Sequence, residues 1–116
     1  MIMAIVQIPW GEPKRGRDAV LGQALDSTKI YHGVKGLKLK YYLNGDAGGG
    51  GVYLFETRVD AEAWFHGGWA DWMDSRFGVR PTLALYDNYL TLDNLAGEVR
   101  VDGEAVPPPW KADAAE

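Results

Sequence analysis

The chain contains no cysteine among its 116 residues. This absence excludes disulfides, thiolate nucleophiles and zinc sites built on cysteine. Histidine occurs only twice, as His32 and His66. A protein metal site usually needs a third ligand, and no spacing in the sequence supplies one. We therefore expect no bound metal.

Long apolar runs and excess positive charge are also missing. No apolar run approaches the ~18 residues of a membrane span. Twelve basic and 16 acidic residues give a net charge of −4, which argues against general affinity for nucleic acid or anionic membranes. The apolar start "MIMAIVQIPW" lacks the basic leader and the cleavage site of a signal peptide. We expect a cytoplasmic protein with neither nucleic acid nor membrane as a partner.

Glycine, in contrast, is abundant, with 15 residues and four in a row at 48–51. The run lacks the GxGxxG or GxxxxGK[ST] spacing of a phosphate-binding loop. We interpret "NGDAGGGG" as a turn between two strands. Apolar content of 47 % in a chain of this length predicts one domain with a single core.

The apolar pattern predicts a strand, a helix, two strands, a broken helix and a strand. A strand is predicted at 2–8, followed by a loop in "WGEPKRGR" and a helix from about Arg17 that ends at Gly33 and Gly36. Two strands follow at 37–43 and 51–56. The second helix begins at Thr57, breaks at Gly67-Gly68 and resumes to Gly78, and the last predicted strand is 82–90. The order β-α-β-β-α-β predicts a ferredoxin-like α+β fold. Its four-stranded antiparallel sheet would carry both helices on one face.

The predicted domain covers residues 1–94, and residues 95–116 form a C-terminal extension. A small hairpin is expected in "EVRVDGEAV", with its turn at Asp102-Gly103. The last segment, "PPPWKADAAE", is expected to be extended and then disordered.

The strand "LKLKYYL" alternates regularly. Its two predicted faces are Leu37, Leu39, Tyr41 and Leu43 on one side and Lys38, Lys40 and Tyr42 on the other. We interpret the two lysines as a solvated edge that discourages unwanted strand pairing.

The predicted sheet is apolar on both faces, although two helices cover only one. Leaving four or five large side chains of the second face wet would forgo about 6 to 15 kcal/mol. That is comparable to the whole stability of a small domain. We therefore expect a homodimer formed by sheet-to-sheet packing, with the C-terminal tail as a competing cover.

Three segments carry a resemblance to a known family. "GVKGLKLKYYLN" and "GGGVYLFETRVDAEAWF" resemble the YdhR-like family of mono-oxygenases, and "LYDNYLTLDN" is similar to that family's last strand. The likeness spans roughly residues 2–94. The resemblance implies a dimeric α+β barrel and, with it, a cofactor-independent mono-oxygenase acting on a small aromatic or quinol-like molecule. The longer tail and the "HGGW" break depart from the family pattern.

Candidate site residues cluster in "WFHGGWADWM". The candidates for substrate binding are Trp64, Phe65, Trp69, Trp72 and Tyr53, and the candidates for catalysis are His66, His32, Tyr86 and Arg80. Each has a structural alternative: tryptophans fill cores, a histidine at a helix end interacts with the dipole, and an arginine can simply precede a strand. A non-enzymatic dimer that binds a small ligand is the alternative function. RNA binding is disfavoured because the chain is acidic and lacks the RNA-recognition signature.

Overall fold

The computed structural model of the chain describes residues 1–9 and 16–114. The helices and strands are β1 (Ile2–Pro9), α1 (Arg17–Tyr31), β2 (Leu37–Asn44), β3 (Gly48–Phe55), α2 (Arg58–Trp64), α3 (Trp69–Phe77), β4 (Thr82–Asp87), β5 (Leu90–Asp93), β6 (Glu98–Val101), β7 (Glu104–Val106) and α4 (Pro109–Ala114). Most of the predicted loop "WGEPKRGR" lies outside the described residues. None of the described helices is long and apolar enough to cross a membrane.

The main sheet has four strands in the order β2-β3-β1-β4, and every neighbouring pair is antiparallel. The predicted α+β class is therefore confirmed, and the strand order is consistent with a ferredoxin-like fold. Alternate residues of β1, namely Ile2, Ala4 and Val6, are buried, as their period-2 spacing predicts.

The core lies between this sheet face and the helices. Phe55, Tyr53 and the β1 residues form its floor. The helices contribute Tyr31 from α1, Ala61 from α2, and Trp69 and Met73 from α3. All three helices therefore cover the same face of the sheet.

The predicted helix signals between residues 57 and 78 are confirmed. Thr57 caps α2 by accepting a hydrogen bond from the backbone N–H of Asp60 at 3.1 Å. Gly67 and Gly68 separate α2 from α3. Gly78 ends α3 in the left-handed conformation with φ 74°, which glycine adopts without steric cost.

The glycine run forms part of a strand, and the prediction of a turn there is wrong. Gly48 to Gly51 pair with Pro9 to Val6 of β1, so β3 begins three residues earlier than expected. Gly50 has φ 143°, and a Cβ atom there would collide with the carbonyl oxygen of Val6. The run thus allows two backbones to approach each other where a side chain would keep them apart.

We expect Gly50→Ala to lower the free energy of unfolding by about 1–3 kcal/mol, because it combines a strained φ with a backbone collision. Gly22→Ala is the matched control. Gly22 lies inside α1 with open space around its Cβ position, so alanine there should raise stability by about 0.5–1 kcal/mol. Urea unfolding of both variants measures the difference, and equal stabilities would contradict the assigned role of Gly50.

A β-bulge interrupts β2 near its start. Leu37 pairs with Phe55, whereas Leu39 pairs with Leu54, so the register shifts between the two leucines. Consequently Leu37 lies on the helix-covered face and Leu39 on the opposite one. The prediction that these two leucines share a face is wrong for this reason.

The C-terminal region differs from expectation in two ways. The predicted strand 82–90 is divided, since β5 at Leu90–Asp93 leaves the main sheet and pairs with β6. The hairpin of β6 and β7 is confirmed, and its turn has positive φ at Asp102 and Gly103. The segment Pro109–Ala114, expected to be extended, forms the short helix α4.

The strands β5, β6 and β7 form a second sheet, and the molecule as a whole is elongated. The radius of gyration is 17.0 Å, compared with about 13 Å for a compact domain of this length. The longest dimension is 58 Å. Among the described residues, the strands of this second sheet pair with one another and not with the main sheet.

The face of the main sheet opposite the helices is open, and we name it the open face. Its most exposed large side chains are Leu39 (48 %), Tyr41 (57 %), Leu43 (44 %) and Tyr86 (55 %). Met3 and Ile5 of β1, and Val52 and Leu54 of β3, lie between them and are half-buried. In the described part of the chain, the tail leaves these side chains accessible.

Candidate functional site

The most unusual side-chain environment is that of Lys40 on β2. Its Nζ atom lies 3.2 Å from the ring centroid of Tyr31, 4.0 Å from that of Tyr42 and 4.7 Å from that of Tyr53. Three tyrosine rings from α1, β2 and β3 therefore surround one amine. The interpretation of Lys40 as a solvated edge residue is wrong, whereas Lys38 is exposed and pairs with Glu56 at 3.4 Å.

Local structure brings these groups together. The bulge in β2 places Lys40 opposite Tyr53, on the helix-covered face. Tyr31 is the last residue of α1 and is buried against the same face. The buried Ser27, one turn earlier in α1, has its Oγ 3.0 Å from the hydroxyl of Tyr42 and donates to the carbonyl of Ala24.

The environment changes the protonation of Lys40. Burial, with a further contribution from the positive charge of Arg76, lowers the pKa of Lys40 to about 7. The tyrosine ring faces attract the ammonium form and oppose this effect. No carboxylate in the described parts of the chain forms an ion pair with Lys40. Neutral and charged amine therefore coexist near neutral pH.

The phenols of Tyr31 and Tyr53 stay protonated. Burial raises the pKa of Tyr53 far above its usual value, and a hydrogen bond with Tyr31 and the nearby Tyr42 act in the same direction. Burial also raises the pKa of Tyr31. Lys40 therefore differs from these two phenols, because its charge changes near pH 7.

A cleft opens beside the amine, between the end of α1 and β2. Its volume is about 270 Å³. The residues lining it are Thr28, Tyr31, His32, Leu37, Lys38, Leu39, Lys40 and Tyr42. This volume lies just below the usual range of small-molecule sites. The lining combines two tyrosine rings and two leucines with polar side chains.

Aromatic contacts continue from the cleft into the helices. The ring of Tyr31 is 5.4 Å from that of Trp64, which is 6.3 Å from that of Trp72. The guanidinium of Arg76 lies 5.3 Å from the Trp72 ring. Trp64 Nε1 is buried without a hydrogen-bond partner in the described part of the chain. A positively charged and aromatic region thus extends behind Lys40.

The five residues predicted to bind substrate lie in three kinds of environment. Tyr53 and Trp64 each contact Tyr31 and belong to the surroundings of Lys40. Phe65 packs against Tyr53 and Trp69 in the core. Trp69 is buried, whereas Trp72 is partly exposed.

The four residues predicted to be catalytic do not meet at one site. His32 lines the cleft. His66 is exposed, and its Nδ1 accepts a hydrogen bond from the N–H of Gly68 just before α3. Arg80 is exposed and pairs with Asp71 at 2.6 Å, and Tyr86 lies on the open face.

Sequence reasoning missed Lys40, Tyr31 and Tyr42 as site residues. The only signal was the lysine between apolar residues in "LKLKYYL", which also suits an ordinary exposed strand. Among the described residues, no group of three or more histidine, aspartate or glutamate side chains is arranged to hold a metal ion.

Comparisons with known proteins add no family to this description. No protein-family model matches the chain, and no curated protein matches it.

Proposed function

We propose that the chain is a cofactor-independent mono-oxygenase acting on a small aromatic or quinol-like molecule, with Lys40 as its base. The proposal depends on one observation: an amine that is partly neutral at pH 7 faces a cleft with aromatic walls. A base with a pKa near the working pH combines the correct protonation state with a useful driving force. The resemblance of three segments to the YdhR-like family supports the proposal by analogy.

The reaction balances without an added reductant. The Lys40 amine takes the proton from an acidic phenol or from a ring CH₂ beside a carbonyl, and the resulting ammonium pairs with the substrate anion. The electron-rich anion then reacts with O₂. Overall, a CH₂ group and one O₂ molecule give a C=O group and one water molecule. Each of these two products takes one oxygen atom from O₂. The substrate provides all four electrons.

The surrounding side chains fit this role. The faces of Tyr31 and Tyr42 hold the ammonium in place and line the cleft for a flat ring. Protonated phenols are hydrogen-bond donors, so they stabilise negative charge developing on a substrate oxygen. The positive charge of Arg76, like that of the Lys40 ammonium, favours a negatively charged substrate.

The test is oxygen uptake with 1,8-dihydroxyanthrone as substrate. Removing a general base typically costs about 10²- to 10⁴-fold in rate, so we expect a loss of that size in Lys40→Met. Lys38→Met is the matched control, since Lys38 is exposed on the same strand, and it should retain the wild-type rate. Full activity in Lys40→Met would contradict the proposal.

A non-enzymatic ligand-binding protein is the second candidate. The observation favouring it is that no carboxylate of the described residues forms an ion pair with Lys40, so no carboxylate is placed to take the proton from the amine. Binding of 4-nitrophenol, followed by its phenolate absorbance, would then occur without oxygen uptake. Loss of this binding in Lys40→Met would locate the ligand in the cleft.

We also propose that two copies associate through their open faces to form a dimeric α+β barrel. Large apolar side chains cover this face and keep about half of their surface exposed in the single chain. Full burial of one such side chain contributes roughly 1.5–3 kcal/mol. A second copy offers the same apolar face about a two-fold axis, so both faces would become dry together.

A further inference from the structure

We propose that the Lys40 amine also captures small aromatic aldehydes or ketones, forming an imine in the cleft beside Tyr31 and Tyr42. This step makes a bond from nitrogen to carbon and is distinct from the proton transfer proposed above. It requires no oxygen.

The geometry favours this amine over other lysines. Lys40 faces a cleft with aromatic walls, and no described carboxylate holds it as an ammonium ion. Lys29 and Lys38, in contrast, are exposed and pair with Asp26 at 2.9 Å and with Glu56 at 3.4 Å. A lysine desolvated by apolar surroundings, or placed near another cation, is the usual form of a nucleophilic amine.

The protonation state of Lys40 also favours its attack on a carbonyl carbon. An ordinary lysine has roughly one neutral amine in several thousand at pH 7, whereas the pKa of about 7 gives Lys40 a far larger neutral fraction. Only the neutral amine has the lone pair that attacks a carbonyl carbon.

The condensation balances as follows. The Lys40 nitrogen adds to the carbonyl carbon while the C=O electron pair moves to oxygen, giving a carbinolamine. Transfer of the nitrogen's protons to that oxygen releases it as water and leaves a C=N bond. The aromatic ring of the carbonyl compound would lie against the tyrosines lining the cleft.

The test is reductive trapping on the full chain at pH 7 with salicylaldehyde and sodium cyanoborohydride, whose hydride converts the imine to a stable secondary amine. We expect peptide mass mapping to find the first adduct on Lys40, formed at least ten times faster than on any other lysine. Lowering the pH to 5.5 should slow this labelling several-fold.

Two results would overturn the inference: adducts spread evenly over exposed lysines, or a Lys40→Met variant labelled as fast as the wild type. The site map of the wild-type chain is sufficient by itself if the variant does not fold. The oxygen assay contains neither aldehyde nor hydride, so failure of one experiment leaves the result of the other intact.

Discussion

Leu39→Lys is expected to be a monomer at concentrations at which the wild-type chain is a dimer. Leu39 lies on the open face with 48 % of its surface exposed, so lysine fits there without disturbing the core of the single chain. In the proposed dimer, the same position would bury an unpaired ammonium in each copy, at a cost of several kcal/mol. A loss of about 3 kcal/mol weakens association more than a hundredfold.

Sedimentation velocity over a concentration series measures this effect. Leu21→Lys is the matched control, because Leu21 has a similar exposure of 43 % but lies on α1, on the other side of the sheet. It should sediment as the wild type does. Equal dissociation constants for Leu39→Lys and the wild type would contradict association through the open face, and so would a wild-type chain that stays monomeric at high micromolar concentration.

Lys40→Met is expected to be more stable than the wild type at pH 6, with a difference that shrinks as the pH rises. The pKa of Lys40 falls from 10.5 to about 7 on folding. Between these two values the unfolded chain binds more protons than the folded chain, so wild-type stability rises with pH across this interval. Below pH 7 the folded chain carries the full cost of a partly buried ammonium.

The size of this effect follows from the pKa shift. A shift of one pKa unit corresponds to about 1.4 kcal/mol, which gives about 5 kcal/mol as an upper bound. Partial solvent access and the tyrosine ring faces reduce this figure, and we expect about 1–3 kcal/mol at pH 6. Methionine keeps the unbranched shape and packs favourably on aromatic rings.

Urea unfolding of both proteins at pH 6, 7, 8 and 9.5 tests this prediction. Tyrosine, with an ordinary pKa of about 10, begins to ionise at the top of this range in both proteins, so the comparison is made on the difference between them. Lys38→Met supplies the control, since its stability should follow the wild-type curve. A stability difference between Lys40→Met and wild type that stays constant with pH would show that Lys40 is fully charged in the folded protein.

The sequence predicted those parts of the fold that depend on local signals. Thr57 as a helix cap, Gly78 as a helix end and the Asp102-Gly103 turn each follow from backbone preferences within a few residues. The four-stranded sheet follows from the order of the apolar segments. The divided strand at 82–93 was missed because the apolar alternation continues through the point where the chain leaves the main sheet.

The candidate site was not predictable in the same way, because it depends on contacts between distant segments. Tyr31, Lys40 and Tyr53 belong to three different elements, and only the packing of α1 on the sheet brings them together. The tryptophan-rich segment indicated a site by its composition alone. Of its members, Trp64 contacts the site directly, whereas Phe65 and Trp69 pack in the core.

The β-bulge at Lys38 has a consequence for how this strand can change. Because the pairing shifts there by one residue, Leu37 and the residue at position 40 both lie on the helix-covered face of the sheet. A regular strand would place positions 37 and 40 on opposite sides, so one side chain would be buried only at the expense of the other. The extra residue removes this conflict, and it allows a reactive amine and a hydrophobic anchor to share one side of an edge strand.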